Sequence, residues 1–172
     1  MIQIPKTTKF GKTPQSGLRL WKAAQAIRLA ELRLAAQASV LMGAQARATS
    51  MIGWVAAALA ASAALAFSTP YHIAGAILLV GESITGILAV VAIYPCKWSE
   101  TGTRPEVFMD SPAQTELACQ ESLALYYQNA IQRNIERLNT ISLLISAGWI
   151  MFLATPILAC LVQMVIFMQK VP

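Results

Sequence analysis

Glu82 is the one acidic or basic side chain in an otherwise apolar stretch from Ile73 to Tyr94, IAGAILLVGESITGILAVVAIY. The stretch is long enough to cross a bilayer, which takes about 20 apolar residues. A charge at mid-membrane costs roughly 2.5–3.5 kcal/mol on insertion scales, so such groups face a protein interior or a wet cavity. Two kinds of chemistry fit Glu82. It is a proton or cation site, or a gating residue. Otherwise it is a protonated carboxyl hydrogen-bonded to a neighbouring hydroxyl, for which Ser62, Ser142 and Ser146 are candidates. A Glu82 from another subunit is the remaining candidate.

A second group of residues lies beside the apolar runs. Arg47, Arg133 and Arg137 fall near span ends, and Tyr126 and Tyr127 accompany the last two. Cationic side chains in this setting bind anionic phospholipid headgroups. The sharper reading is a pocket for an anionic ligand such as a cyclic nucleotide, held by Arg and stacked on Tyr. Basic and aromatic residues both favour membrane interfaces.

Little else in the chain could react. GxSxG, HExxH and GxxxxGK[ST] are absent, so no catalytic residue and no cofactor is expected. Cys96, Cys119 and Cys160 are unpaired at metal spacing and odd in number, and His72 stands alone, so no metal site is expected. Glu100, Glu106, Asp110, Glu116, Glu121 and Glu136 scatter over a loop and several helix faces, as a solvated surface does.

The elements that must position Glu82 and the arginines are helical. With 56% hydrophobic and 12% charged residues, against about 25% charged in soluble domains, the chain reads as all-α and integral to a membrane. Residues 1–17, with Pro5, Gly11, Pro14 and Gly17, read as a mobile basic arm. From Leu18 to about Arg47 alanine is abundant and proline absent, which predicts helix. Leu20, Ile27, Leu34, Leu41 and Ala48 recur every seven residues, and Leu18, Leu29 and Val40 every eleven. Two such rows suit a helix packed on more than one neighbour.

A first span is expected at about 51–68. No breaker separates it from the helix before it, so the two can form one rod of roughly 75 Å. Ser68-Thr69-Pro70 makes a tight turn, and a second span returns over 73–94 until Pro95 ends it. Residues 96–111 read as a polar loop. Ser111 as cap, with Pro112 and Gln114 behind it, predicts the start of a helix. That helix continues into a third span at about 140–168, with a bend expected at Pro156.

Before Met51 there are eight basic residues and one acid, Glu31. An N-terminus inside keeps these, and the four basic residues of 95–139, on the cytoplasmic side. Two long cytosolic extensions then point the same way. Their heptad rows can meet in parallel as a coiled coil, Leu34 beside Ala124 and Leu41 beside Ile131, within one chain or between chains. A nucleic-acid partner is not expected, for want of a binding motif. An Arg-rich, acid-poor N-terminus also fits a mitochondrial presequence, which makes the mitochondrial inner membrane the alternative location.

The run Ala44-Gln45-Ala46-Arg47-Ala48 directly before a weakly hydrophobic two-span hairpin resembles the Ala-Asp-x-Lys/Arg-Ala motif of bacterial Pycsar and SLATT-type transmembrane effectors. Gln45 stands where that motif has Asp. Tyr127, Ala130-Ile131 and Asn134, leading into a final span, are similar to their closing helix. The resemblance covers roughly residues 30–160 in layout. It implies a phage-defence effector that oligomerises in the bacterial inner membrane and disrupts it when signalled.

The expectation is therefore an oligomeric, non-enzymatic inner-membrane protein that perturbs or permeabilises the bilayer on a ligand or partner signal. Its partners would be the lipid bilayer with its anionic headgroups and further copies of itself. A structural subunit of a larger respiratory or secretion-type complex is the alternative. Proton or cation transport through Glu82 is a second alternative.

Overall fold

The computed structural model describes residues 16–68, 70–95, 97–100, 102 and 115–169. Most of the expected N-terminal arm, much of the 96–111 loop, and the helix start expected at Ser111–Gln114 lie outside these residues. Among the described residues the chain is all-helical. α1 spans Ser16–Ala66, α2 spans His72–Ile93 and α3 spans Glu116–Met168. Each is long and apolar enough to cross a membrane.

α1 runs unbroken through the Arg47–Met51 junction, where neither Pro nor Gly interrupts it. Its 51 residues make a rod of roughly 75 Å. α2, with 22 residues, is about 33 Å long, close to the ~30 Å of a hydrocarbon core. α1 and α3 therefore overhang α2 by about 45 Å and form a two-helix stalk above a three-helix bundle.

The α1–α2 turn is closed by backbone bonds from Ser68 N–H to Leu65 O (3.0 Å) and from Tyr71 N–H to Ser68 O (3.2 Å). Gly75 then lets the backbone of α2 touch that of Ala66, where any Cβ would collide. Further along the hairpin Gly86 faces Val55. α3 runs antiparallel to α2 and parallel to α1. Gly148 accepts the Met51 sulfur, which lies 2.8 Å from where a Cβ would stand. Around this contact Ala48, Met51, Val55, Ala89, Ala92, Ile141 and Ile145 form the main core.

The stalk pairs α1 with α3 in parallel and within one chain. Its register departs from the expectation. Leu34 packs on Tyr127 and Ala130 rather than beside Ala124, and Gln37 reaches the carbonyl of Ile131 (3.3 Å) in place of Leu41. The shift is about four to seven residues, one to two turns. Ala130 supplies the slot that Leu34 fills, and two polar contacts hold the pair there. Heptad rows of apolar residues alone do not distinguish neighbouring turns.

α3 starts at Glu116, with Thr115 as its N-cap accepting from Ala118 N–H at 3.2 Å. Glu116 in the first turn complements the helix dipole. α3 continues through Pro156 to Met168.

Candidate functional site

Glu82 sits mid-way along α2 and is 2% exposed. Gly75 and Gly86, on the same helical face, both meet α1, so Glu82 points into the α1–α2 seam. The antiparallel register places Ser62, itself buried, within about one turn of it. Ser142 and Ser146, the other hydroxyl candidates, are exposed on α3. They turn away because the buried face of α3 follows Ile141, Ile145 and Gly148.

Thr85 and Thr155 are buried at the same level. With Ser62 they surround Glu82 by a thin polar layer inside an apolar bundle. Each hydroxyl is committed to its own helix. Ser62 donates to Ala58 O (2.7 Å), Thr85 to Gly81 O (3.0 Å) and Thr155 to Met151 O (2.7 Å). Such bonds to the preceding turn are open to any helical Ser or Thr. Consequently Glu82 Oε2 has no hydrogen-bond partner. A buried polar atom left so costs about 1–3 kcal/mol.

A polar ladder joins α1 to α3 along the stalk. Arg19 forms an ion pair with Glu121 at 2.7 Å, half-exposed on both sides. The Tyr127 hydroxyl donates to Glu31 Oε1 at 3.2 Å. Asn134, 1% exposed, presents its amide to the connecting segment like a backbone peptide. Its Nδ2 donates to Ser99 O (2.9 Å) while its Oδ1 accepts from Ser99 N–H (3.2 Å). At the far end Gln163 donates to Pro70 O (3.0 Å) and ties α3 to the hairpin turn. Beside that tie an apolar groove of about 420 Å³ lies between α2 and α3, lined by Tyr71, Leu78, Pro156, Cys160 and Phe167 among others.

The ligand-binding group read from the sequence is divided in this arrangement. Tyr127 is buried against Leu34 and bonded to Glu31, so its ring is unavailable for stacking on a ligand. Tyr126 is 40% exposed beside it, and Arg133 is exposed on α3. Arg137 is half-buried. Arg47 is exposed on α1, one turn before Met51. Arg133 and Arg137 stand one turn apart on α3, whereas Arg47 stands on α1. Gln37 carries no functional expectation from the sequence, and Asn134 carries one only through the family resemblance. The available signal for both is a polar side chain on an otherwise apolar buried row.

Among the described residues no three His, Cys, Asp or Glu side chains come together as a metal site. No family model, curated protein or solved structure matches the chain.

Proposed function

We propose that this is a non-enzymatic, self-assembling three-span protein of a bacterial inner membrane. Its N-terminus is cytoplasmic, and it perturbs or permeabilises the bilayer when its stalk receives a ligand or partner. The observation that carries this reading is mechanical continuity. α1 and α3 each run unbroken from stalk to bundle, and both ends of the pair are closely packed. In this reading a change in how α1 and α3 meet at Glu31 and Tyr127 is passed along both helices to Met51 and Gly148. The resemblance of the sequence to Pycsar and SLATT-type effectors is the support for a defence role of such a trigger. In this reading Arg47, Arg133 and Arg137 contact anionic headgroups at the inner surface, and Tyr126 flanks them.

The test is dye release from vesicles of phosphatidylethanolamine and phosphatidylglycerol carrying the purified protein, with membrane potential followed in expressing cells. Release or depolarisation above that of empty controls is expected. Intact vesicles and an unchanged potential, with and without a cyclic-nucleotide probe, would overturn the reading.

One observation favours the structural-subunit reading. The stalk part of α1 carries exposed large apolar side chains that some helix must cover. Purification in mild detergent separates the two. A homomeric complex supports self-assembly, whereas foreign subunits in fixed ratio support a subunit role.

A further inference from the structure

The outer faces of α1 and α3 are inverted with respect to each other. On α3 the outer face is mainly polar in the stalk, with Asn129, Gln132 and Glu136 exposed after Leu125. Beyond, it turns bulky and apolar, with Leu143, Ile150 and Leu161 exposed. Water and then lipid favour that order. On α1 the order is reversed. Its stalk exposes Leu18, Trp21, Leu29, Leu32 and Val40, between 44 and 64% each. In its apolar half the same side exposes the small residues Gly53, Ala57, Ala61 and Ala64, with Trp54 near the start of the run and Leu65 at its end. At 100° per residue the five large side chains share an arc of about 100° opposite the α3-facing row of Ile27, Leu34 and Leu41. Leu18, Leu29 and Val40, and likewise Trp21 and Leu32, repeat at the eleven-residue period of supercoiled helices.

We infer that this outer face of α1 is the seam by which a second copy of the chain docks, α1 against α1 and parallel. The inference rests on the self-assembly reading above. An occupant must cover an apolar stripe in water and a small-residue stripe in lipid on one straight rod. A helix that itself passes from stalk to span at the same height does both. The bilayer holds identical chains parallel and at equal depth, so Leu32 meets Leu32 and Ala61 meets Ala61. Between Trp54 and Leu65, Ala57, Ala61 and Ala64 let the two backbones approach in lipid. The seam from Leu18 to Ala64 is roughly 70 Å long and about 11 Å wide. That is on the order of 750 Å² per chain, close to the ~800 Å² per partner of a standard interface.

Lys22, Arg28 and Arg33 rim the stripe, and Arg47 stands where it passes from stalk to span. In a parallel pair these like charges approach one another, Lys22, Arg28 and Arg33 at the edge and Arg47 within the stripe, and salt screens them. Self-association should therefore tighten as ionic strength rises. A foreign helix with an acidic rim would loosen instead.

The test uses full-length protein with Cys96, Cys119 and Cys160 replaced by Ser and one new thiol. Leu32→Cys and Ala61→Cys are each expected to form a disulfide-linked dimer on oxidation in membranes, and Asn129→Cys on outer α3 is not. Ala61→Ile adds bulk at a position exposed within the chain, so the fold keeps its shape. It should weaken the dimer in detergent by about tenfold. Linkage through Asn129→Cys but not Leu32→Cys overturns the seam while leaving self-assembly intact. Linkage of Leu32→Cys to a foreign chain, or a dimer that loosens with salt, also overturns it. A monomer at every salt concentration overturns both the seam and the self-assembly reading. A linked α1 dimer without dye release overturns only the membrane-perturbing function.

Discussion

Gly81 of α2 stands so close to the side chain of Thr155 on α3 that no Cβ fits between them. The contact sets the distance between the two helices at the level of Glu82. Gly81→Ala should therefore destabilise the bundle by about 1–3 kcal/mol, the usual cost of overpacking. Thr155→Gly in the same chain should recover part of the loss by clearing the space. Thermal unfolding in detergent, followed by far-UV circular dichroism, measures both. Gly17→Ala, at the start of α1, is the control, since its Cβ meets open space within the chain. A Gly81→Ala protein that melts with the parent would refute the close contact.

Tyr127 and Glu31 give the stalk its register. Tyr127→Phe removes one hydrogen bond and should cost about 1 kcal/mol, whereas Tyr127→Ala also opens a cavity and should cost about 3–5 kcal/mol. In a double-mutant cycle with Glu31→Ala, Tyr127→Phe should lose its effect. Additive losses in denaturant unfolding would mean that the two side chains do not interact.

The helices and the hairpin were legible because their causes are local. Alanine-rich segments, apolar runs and the prolines at 70 and 95 act within a turn or two of where they stand. Register was less legible, because Leu34 finds a similar apolar environment one or two turns either way along α3. Tyr127 illustrates a conflict of signals. As an aromatic near basic residues it reads as interfacial. Its spacing with Ala130 and Asn134 nevertheless puts it on one face, and that face is buried. The solitude of Glu82 Oε2 had no sequence signal. Ser62, Thr85 and Thr155 were each free to bond across or backward, and all three bond backward.

Asn134 fastens the segment at 97–100 to the stalk through both groups of Ser99. Asn134→Ala should leave that segment untied while α3 keeps its helix. The expected result is faster proteolytic cleavage between α2 and α3, and faster hydrogen exchange at the Ser99 amide, without change in helical content. Asn134→Asp keeps the acceptor for Ser99 N–H and loses the donor, so its exchange rate should fall between. Equal cleavage of parent and Asn134→Ala would show that other contacts hold the segment.

Glu82 decides between a structural and a functional use of the buried polar layer. A carboxyl with one buried unpartnered oxygen is unfavourable for folding, and an apolar side chain of similar size removes that cost. Glu82→Leu should therefore raise stability in detergent by about 1–3 kcal/mol. A residue whose removal stabilises the fold is a candidate for function, because function tolerates what packing does not. The same variant is then assayed for dye release and for ion flux in vesicles. Loss of release or flux in the better-folded protein assigns the activity to the carboxyl, and Glu82→Gln tests whether its ionised form is required. Release unchanged in Glu82→Leu removes the side chain from the mechanism. A protein made less stable by Glu82→Leu would mean that the carboxyl has a partner in the membrane, such as a bound water or the Ser62 hydroxyl.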